Sequence, residues 1–134
     1  MILYLYLQGG LGNQMFQYAS RVSALKEYSQ FTNLKIDTSS YHGQEVKVVK
    51  DGITGRNYDL DVFNISYSEV EDAPEGATML QGWFQNIKEF ENVIDKIRKE
   101  FTFNVNFSEE TKKIENKIFL ENNPIAIHVR RGDY

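Results

Sequence analysis

The 134-residue chain has no cysteine, which excludes a disulfide framework, a thiolate metal site and a cysteine nucleophile. Basic charge is also scarce, because 15 lysines and arginines stand against 19 aspartates and glutamates, for a net charge of −4. Proteins that bind nucleic acid through its phosphates are usually basic, so that class is disfavoured. Apolar runs fall well short of the roughly 20 residues of a membrane-spanning helix. The apolar start of the chain also lacks the basic flank of a signal peptide.

The overall composition is that of a globular domain. Hydrophobic residues make up 41% of the chain and charged residues 25%, both close to globular averages. Nine phenylalanines and eight tyrosines supply large side chains for a core. The chain therefore has the length and apolar content of one ordinary folded domain, and it lacks the composition of a disordered segment.

Strand-like and helix-like segments alternate along the chain. Four segments have the apolar content of strands: residues 1–7, 34–37, 78–82 and 125–130. Three helices are predicted, with N-caps at Asn13, Asn86 and Ser108. The first two show apolar residues at helical spacing, and the third has acidic residues in its first turn. Residues 60–65 fit a strand or a short helix equally well. This alternation predicts an α/β fold with a Rossmann-like, mostly parallel sheet.

A glycine-rich loop over residues 9–13 follows the first predicted strand. Ligands of α/β sheets bind beyond the carboxyl ends of the strands, so this loop is a candidate binding site. Its glycines let backbone amides approach a ligand, and the following helix N-terminus favours anions. Asn13 and Gln14 add amides that can bind a sugar or phosphate. The loop lacks the full dinucleotide fingerprint and the P-loop lysine, and alone it is as typical of a tight connection.

A second candidate loop, residues 128–134, follows the last predicted strand. Arg130 and Arg131 carry planar guanidinium groups, which bind phosphate in a bidentate manner. His128 and Arg130 lie on the same side of the strand, because side chains alternate along it. For an isolated arginine pair, a solvated basic turn is the more common explanation.

Two shorter patterns have weaker functional interpretations. Asp59 and Asp61 resemble the Asp-x-Asp metal motif of one class of glycosyltransferases, whose oxygen ligands suit Mg²⁺ or Mn²⁺. A turn with two solvated carboxylates is the more common explanation of so short a pattern, and we expect no metal site. Trp83 and Phe84 could stack on a sugar, although an aromatic pair before a helix more often belongs to the core.

Taken together, the motifs resemble one known family. Residues 9–19 (GGLGNQMFQYA) resemble the opening signature of the bacterial α-1,2-fucosyltransferases, glycosyltransferase family 11. Residues 128–134 (HVRRGDY) resemble the nucleotide-sugar motif of that family. Residues 37–41, 60–63 and 80–85 lie between them in the expected order, so the resemblance spans the whole chain.

The resemblance implies a galactoside 2-α-L-fucosyltransferase, which transfers fucose from GDP-fucose to a galactose hydroxyl with inversion. It implies a two-domain GT-B-type enzyme that needs no metal or other cofactor. The implied catalytic residues are His128 and Arg130, and the implied substrate-binding residues are Gly10, Gly12, Asn13, Gln14, Arg130, Arg131 and Asp133. Breaking the bond between fucose and phosphate leaves negative charge on GDP, which fixed arginines stabilise. Either His128 or an acid beyond Tyr134 is the candidate general base.

The family continues beyond the second motif into its nucleotide-binding domain. We therefore expect residues 1–123 to form an N-terminal, acceptor-side domain, and residues 124–134 to form the first strand and loop of a truncated GDP-fucose-binding domain. Such a fragment would have little or no activity alone, and it could self-associate through its exposed domain face. The expected partners are GDP-fucose and a galactose-containing glycan, without nucleic acid. The expected location is the cytoplasm, with peripheral association at the inner face of the membrane left open.

Two other functions remain as alternatives. A non-catalytic nucleotide-sugar-binding or glycan-binding remnant would use the same loops without transferring a sugar. A nicotinamide-dependent oxidoreductase is suggested by the glycine loop, with Asp37 as the partner of a ribose hydroxyl. The oxidoreductase ranks last, because the dinucleotide fingerprint is incomplete.

Overall fold

The structure is a computed structural model that describes residues 1–42, 48–49, 52–53, 56–127 and 129. The chain forms two compact units, Met1–Phe103 and Asn104–Tyr134. Within the described ranges, every helix is too short or too polar to cross a membrane.

A four-stranded parallel sheet is the centre of the first unit. The strands of the chain are β1 (Ile2–Tyr6), β2 (Asn33–Asp37), β3 (Val48–Val49), β4 (Gly52–Ile53), β5 (Glu69–Val70) and β6 (Thr78–Leu80). The sheet has the order β5-β2-β1-β6, and β3 and β4 form a separate antiparallel pair. The predicted α/β fold with a mostly parallel sheet is confirmed, as are the first three predicted strands.

The apolar first strand lies in the interior of the sheet. Leu3, Leu5 and Leu7 are fully buried, because β1 pairs with β2 on one side and with β6 on the other. Helix α1 (Leu11–Glu27) follows it and buries Tyr18 among other residues. The helix predicted from the spacing of apolar residues is therefore confirmed. It covers the sheet, as parallel sheets require.

Helix α2 (Ile94–Glu100) packs against α1 through polar as well as apolar contacts. The Tyr18 hydroxyl donates to Glu100 Oε2 at 2.7 Å, and Lys96 Nζ contacts Glu100 Oε1 at 2.6 Å. Burial first, and the hydrogen bond to Glu100 second, raise the pKa of Tyr18 well above its usual value. The buried carboxylate is therefore satisfied inside the protein and belongs to the core.

Two predicted helix starts differ from the structure. Asn13 lies in the first turn of α1, which begins after Gly10 without a side-chain cap, so the predicted Asn13 cap is wrong. Asn86 does cap its segment, because its side chain accepts from Lys88 N at 3.1 Å. The segment is nevertheless two 3₁₀ turns followed by α2, where one long helix was predicted. The breaks at Phe90 and Val93 let both side chains enter the core.

Residues 60–65, which fitted strand or helix equally, contain a 3₁₀ turn over Leu60–Val62. Leu60 is fully buried at the start of this turn. Phe63 is also buried in the core. The burial of these two side chains shapes the segment, and periodicity could not identify its conformation.

The second unit contains helix α3 (Glu109–Leu120). Ser108 caps it as predicted, with its Oγ accepting from Thr111 N at 3.1 Å. Residues 124–127 form no strand, although one was predicted there. A buried parallel strand needs neighbouring strands to take its hydrogen bonds, and the described part of this unit has none. The predicted boundary between residues 123 and 124 stays a prediction.

Candidate functional site

The glycine-rich loop lies beyond the carboxyl end of β1, as predicted, and leads into α1. Gly9 has φ +83°, a left-handed conformation that favours glycine. A side-chain carbon on Gly9 would lie 2.9 Å from Asn13 Nδ2 and 3.1 Å from Trp83 Cζ3. Both backbone conformation and space therefore require glycine at this position.

Gln14 organises the loop from inside the protein. Its side chain is fully buried. Its Nε2 donates to Gly9 O at 3.0 Å and to Asn57 O at 2.7 Å, while its Oε1 accepts from Asp59 N at 2.9 Å. The amide thus ties the glycine loop to the segment before Leu60. A direct substrate contact by Gln14 stays a prediction, and in this structure the amide is occupied by the protein's own backbone.

Two further side chains hold the glycine loop and the residue before it, and neither role was predicted from the sequence. The amide of Gln17 exchanges two hydrogen bonds of 3.0 Å with the backbone N–H and C=O of Gln8. The Tyr41 hydroxyl donates to Gly9 O at 3.1 Å, and burial raises the pKa of Tyr41 to about 12. A polar Gln17 within the apolar stripe of α1 was the one signal available in the sequence.

Polar groups with more exposure surround the N-terminus of α1. Asn13 Oδ1 accepts from Gln85 Nε2 at 2.6 Å, which joins the glycine loop to the segment after β6. A side-chain carbon on Gly10 would lie 3.7 Å from Arg56 Nε, whereas one on Gly12 would meet nothing within 4 Å. Arg56 is exposed and adds positive charge beside a helix N-terminus, and both favour an anion. No pattern in the sequence identified Arg56.

The two aromatic residues after β6 have different surroundings. Trp83 is 49% exposed beside Gly9, while the ring of Phe84 lies 3.8 Å from the guanidinium carbon of Arg21. Gly82 has φ +147° and Phe84 has φ +49°, so the backbone is irregular on both sides of Trp83. The aromatic pair is thus divided between the protein surface and the packed side of α1.

Asp59 and Asp61, which resemble a metal motif in the sequence, lie close enough for their charges to interact. Partial burial first, and the charge of Asp61 second, raise the pKa of Asp59. Among the described residues, no group of three or more His, Asp or Glu side chains is placed to hold a metal ion.

Asp37 is 1% exposed, and its two carboxylate oxygens accept from Ser39 N at 2.8 Å and Ala73 N at 3.0 Å. This carboxylate shapes the turn after β2. Because it is enclosed and already paired, it is not available to a ribose, which weighs against the oxidoreductase alternative.

Apart from Val129, the second predicted loop lies outside the described residues. This applies to His128, Arg130, Arg131 and Asp133. Their roles in catalysis and phosphate binding, and their convergence with the glycine loop, therefore stay predictions.

The site has the features of a ligand-binding site before any relative is considered. A glycine-rich turn at the carboxyl edge of a parallel sheet, bordered by amides, an aromatic ring and a cation, is typical of proteins that bind nucleotides or sugars.

Comparison with known proteins finds similarity to a glycosyltransferase. The chain is 27% identical over 157 aligned positions to an alpha-1,2-colitosyltransferase of Escherichia coli. The alignment covers 96% of the chain and 53% of that protein, so the chain spans about half the length of the curated relative it matches. No protein-family model matches the chain. No solved structure matches it either.

Proposed function

We propose that the chain is the N-terminal part of an inverting α-1,2-fucosyltransferase that moves fucose from GDP-fucose to a hydroxyl of a galactoside. The supporting observation is the similarity to an α-1,2-colitosyltransferase, which runs over 96% of the chain. The glycine loop at the carboxyl edge of the sheet agrees with that similarity. Colitose is the second candidate for the transferred sugar, because it is the one named for the relative.

The proposed reaction breaks the bond between the sugar C1 and the β-phosphate oxygen of the donor. The acceptor oxygen attacks C1 from the opposite face, a new glycosidic bond forms, and GDP leaves with the bonding electron pair. Arg130 and Arg131 stabilise the charge that develops on GDP. The acceptor proton passes to a general base, for which His128 is one candidate. Gly10, Gly12 and Asn13 line the acceptor-side wall.

The proposal requires no metal ion, because the arginines supply the positive charge. Its partners are a GDP-linked sugar and a galactose-containing glycan. We propose a cytoplasmic protein, with peripheral contact at the inner face of the membrane as an alternative.

The test is a transfer assay with GDP-fucose, lactose and EDTA, using the protein extended to the length of its relative. GDP-linked colitose serves as the competing donor. Transfer of either sugar by the extended protein supports the glycosyltransferase, and the preferred donor decides between the two candidates. The 134-residue chain in parallel should show weak or no transfer. Donor binding without any transfer would favour the non-catalytic remnant.

Arg130→Ala should abolish transfer and weaken GDP binding. Arg98→Ala is the matched control, because the Arg98 side chain is 76% exposed and is paired only loosely with Asp95 at 4.0 Å. Normal turnover after Arg130→Ala would refute the role assigned to Arg130.

A further inference from the structure

Trp83 is the sole tryptophan of the chain, and half of its surface is open to solvent beside the glycine loop. Single exposed apolar side chains are common on protein surfaces, so exposure alone assigns no role. Trp83 differs from the other exposed apolar residues in the backbone that carries it and in the polar groups that surround it.

The backbone before Trp83 has a conformation that favours glycine, and the backbone after Trp83 has one that is strained for its residue. Gly82 has φ +147°, and a side-chain carbon there would lie 2.6 Å from the ring of Phe84. Phe84 has φ +49°, which is uncommon for a bulky residue. Such conformations persist only where surrounding contacts enforce them, and they concentrate at functional sites. The strained backbone keeps Phe84 packed against Arg21 and leaves Trp83 exposed at the carboxyl edge.

Arg21 supplies the enforcing contacts. It is 2% exposed, its Nε donates to Leu80 O at 3.3 Å, and its guanidinium carbon lies 3.8 Å from the Phe84 ring centre. It therefore contacts the chain on both sides of the Gly82–Trp83 step. Its Nη1 donates to Ser20 Oγ at 3.0 Å, and its Nη2 has no partner in the described part of the chain. Burial lowers the pKa of Arg21 to about 10, so the group is still charged at neutral pH.

The charge of Glu89 favours the charged form of Arg21 and opposes the effect of burial. Among the described residues, however, no carboxylate pairs directly with this buried cation, and its burial needs an explanation. Holding the loop supplies that explanation, because Arg21 contacts Leu80 before the Gly82–Trp83 step and Phe84 after it. These contacts make Arg21 a positioning residue for the segment that carries Trp83.

The neighbours of Trp83 indicate what it binds. The Asn13 amide and the Trp83 ring approach the same face of Gly9, and Gln85 donates to that amide. A flat aromatic ring beside side-chain amides suits a pyranose, whose C–H face stacks on the ring while its hydroxyls bind the amides. The axial O4 of galactose leaves a continuous C–H patch on the opposite face of the sugar, which favours stacking on an indole.

We infer that Trp83 is the stacking platform for the galactoside acceptor, and that Arg21 holds the loop in the conformation that presents it. This inference rests on the proposed function, because it takes the acceptor to be a galactoside. Trp83 is then a specificity-determining residue of the acceptor subsite.

The first experiment uses the intrinsic fluorescence of Trp83 in the 134-residue chain, where no other tryptophan interferes. Methyl β-galactoside should give a saturable change in emission. Methyl β-glucoside, which differs only at C4, should bind at least fivefold more weakly. A response to GDP and none to the galactoside would overturn the inference in favour of base stacking, and no response to any of them would overturn it outright.

The second experiment measures galactoside binding to variants by calorimetry. Trp83→Ala should weaken binding at least tenfold, and Trp83→Phe should recover part of it, because it keeps an aromatic face. Tyr28→Ala is the matched control, since Tyr28 is 50% exposed and lies at the opposite end of α1. Equal loss in Trp83→Ala and Tyr28→Ala would contradict a platform at Trp83.

Arg21→Gln tests the positioning role, with circular dichroism to show that the fold is kept. It should shift the Trp83 emission maximum and weaken galactoside binding at least fivefold. Unchanged emission and unchanged binding in the folded variant would overturn the role of Arg21. If Arg21→Gln does not fold, Phe84→Leu, which removes the aromatic partner of Arg21, gives the same two measurements.

Kinetics of the extended protein separate this inference from the proposed function. Trp83→Ala should raise the acceptor KM tenfold or more while the donor KM stays within twofold. Wild-type transfer with an unchanged acceptor KM in Trp83→Ala would refute the platform and leave the function standing. Absence of any wild-type transfer would refute the function, and the fluorescence titration would then decide the platform independently.

Discussion

Replacing Gln14 by alanine should destabilise the fold strongly. The substitution removes three hydrogen bonds of 2.7–3.0 Å, to Gly9 O, Asn57 O and Asp59 N. Each lost bond costs about 1 kcal/mol, and up to about 3 kcal/mol where the remaining partner stays buried and unpaired. The total is on the order of 3–5 kcal/mol, a large fraction of the roughly 5–15 kcal/mol that stabilises a typical domain.

Equilibrium urea unfolding of the 134-residue chain, followed by far-UV circular dichroism, measures this free energy. Gln30→Ala is the matched control, because Gln30 is exposed in the turn after α1 and should change stability by less than about 0.5 kcal/mol. Equal unfolding midpoints for Gln14→Ala and Gln30→Ala would show that the amide does not hold the loop, and the reasoning would fail.

The remaining predictions concern the glycine loop and its surroundings. Gly9→Ala should cost at least about 2 kcal/mol, because it combines left-handed backbone strain with overpacking against Asn13 and Trp83. Gly12→Ala should be neutral or stabilising by up to about 1 kcal/mol, since its new side chain meets open space in a helix. Similar urea midpoints for Gly9→Ala and Gly12→Ala would contradict these two predictions. The raised pKa of Tyr41, about 12, predicts that unfolding free energy falls as pH rises from 10 to 12, because the unfolded chain loses the phenolic proton first. Tyr41→Phe should reduce that alkaline slope relative to a Tyr28→Phe control, and an unaltered slope would count against burial as the cause.

The local sequence pattern was sufficient to predict the first strand, the glycine turn and α1. The apolar run before Gly9 can be buried only inside a sheet, and the spacing of Tyr18 and Val22 suits only a helix. Ser108 was recognisable as a cap because capping depends on one side chain and the next turn of backbone. These features involve neighbours within a few positions, so they can be read from the sequence.

The segments whose shape depends on distant partners were harder to predict. The helix expected from Asn86 is broken where Phe90 and Val93 enter the core, and the packing of α1 dictates those breaks. The strand expected over residues 125–130 has no neighbouring strand in the described part of its unit. In both cases the secondary structure depends on the surfaces that the rest of the protein offers for packing. The periodicity of the segment itself does not predict those surfaces.

The candidate site likewise has some features that the sequence predicted and others that only the structure showed. The order of residues identified a glycine-rich turn beyond a strand, because strand, turn and helix are consecutive and their chemistry is local. Only the tertiary structure decided that the Gln14 amide is enclosed, that Arg56 lies beside Gly10 and that Trp83 and Phe84 have different environments. Each of these depends on contacts between groups that are tens of residues apart in the chain. Such contacts form when the whole sheet and its helix exclude water, and no short segment carries that information by itself.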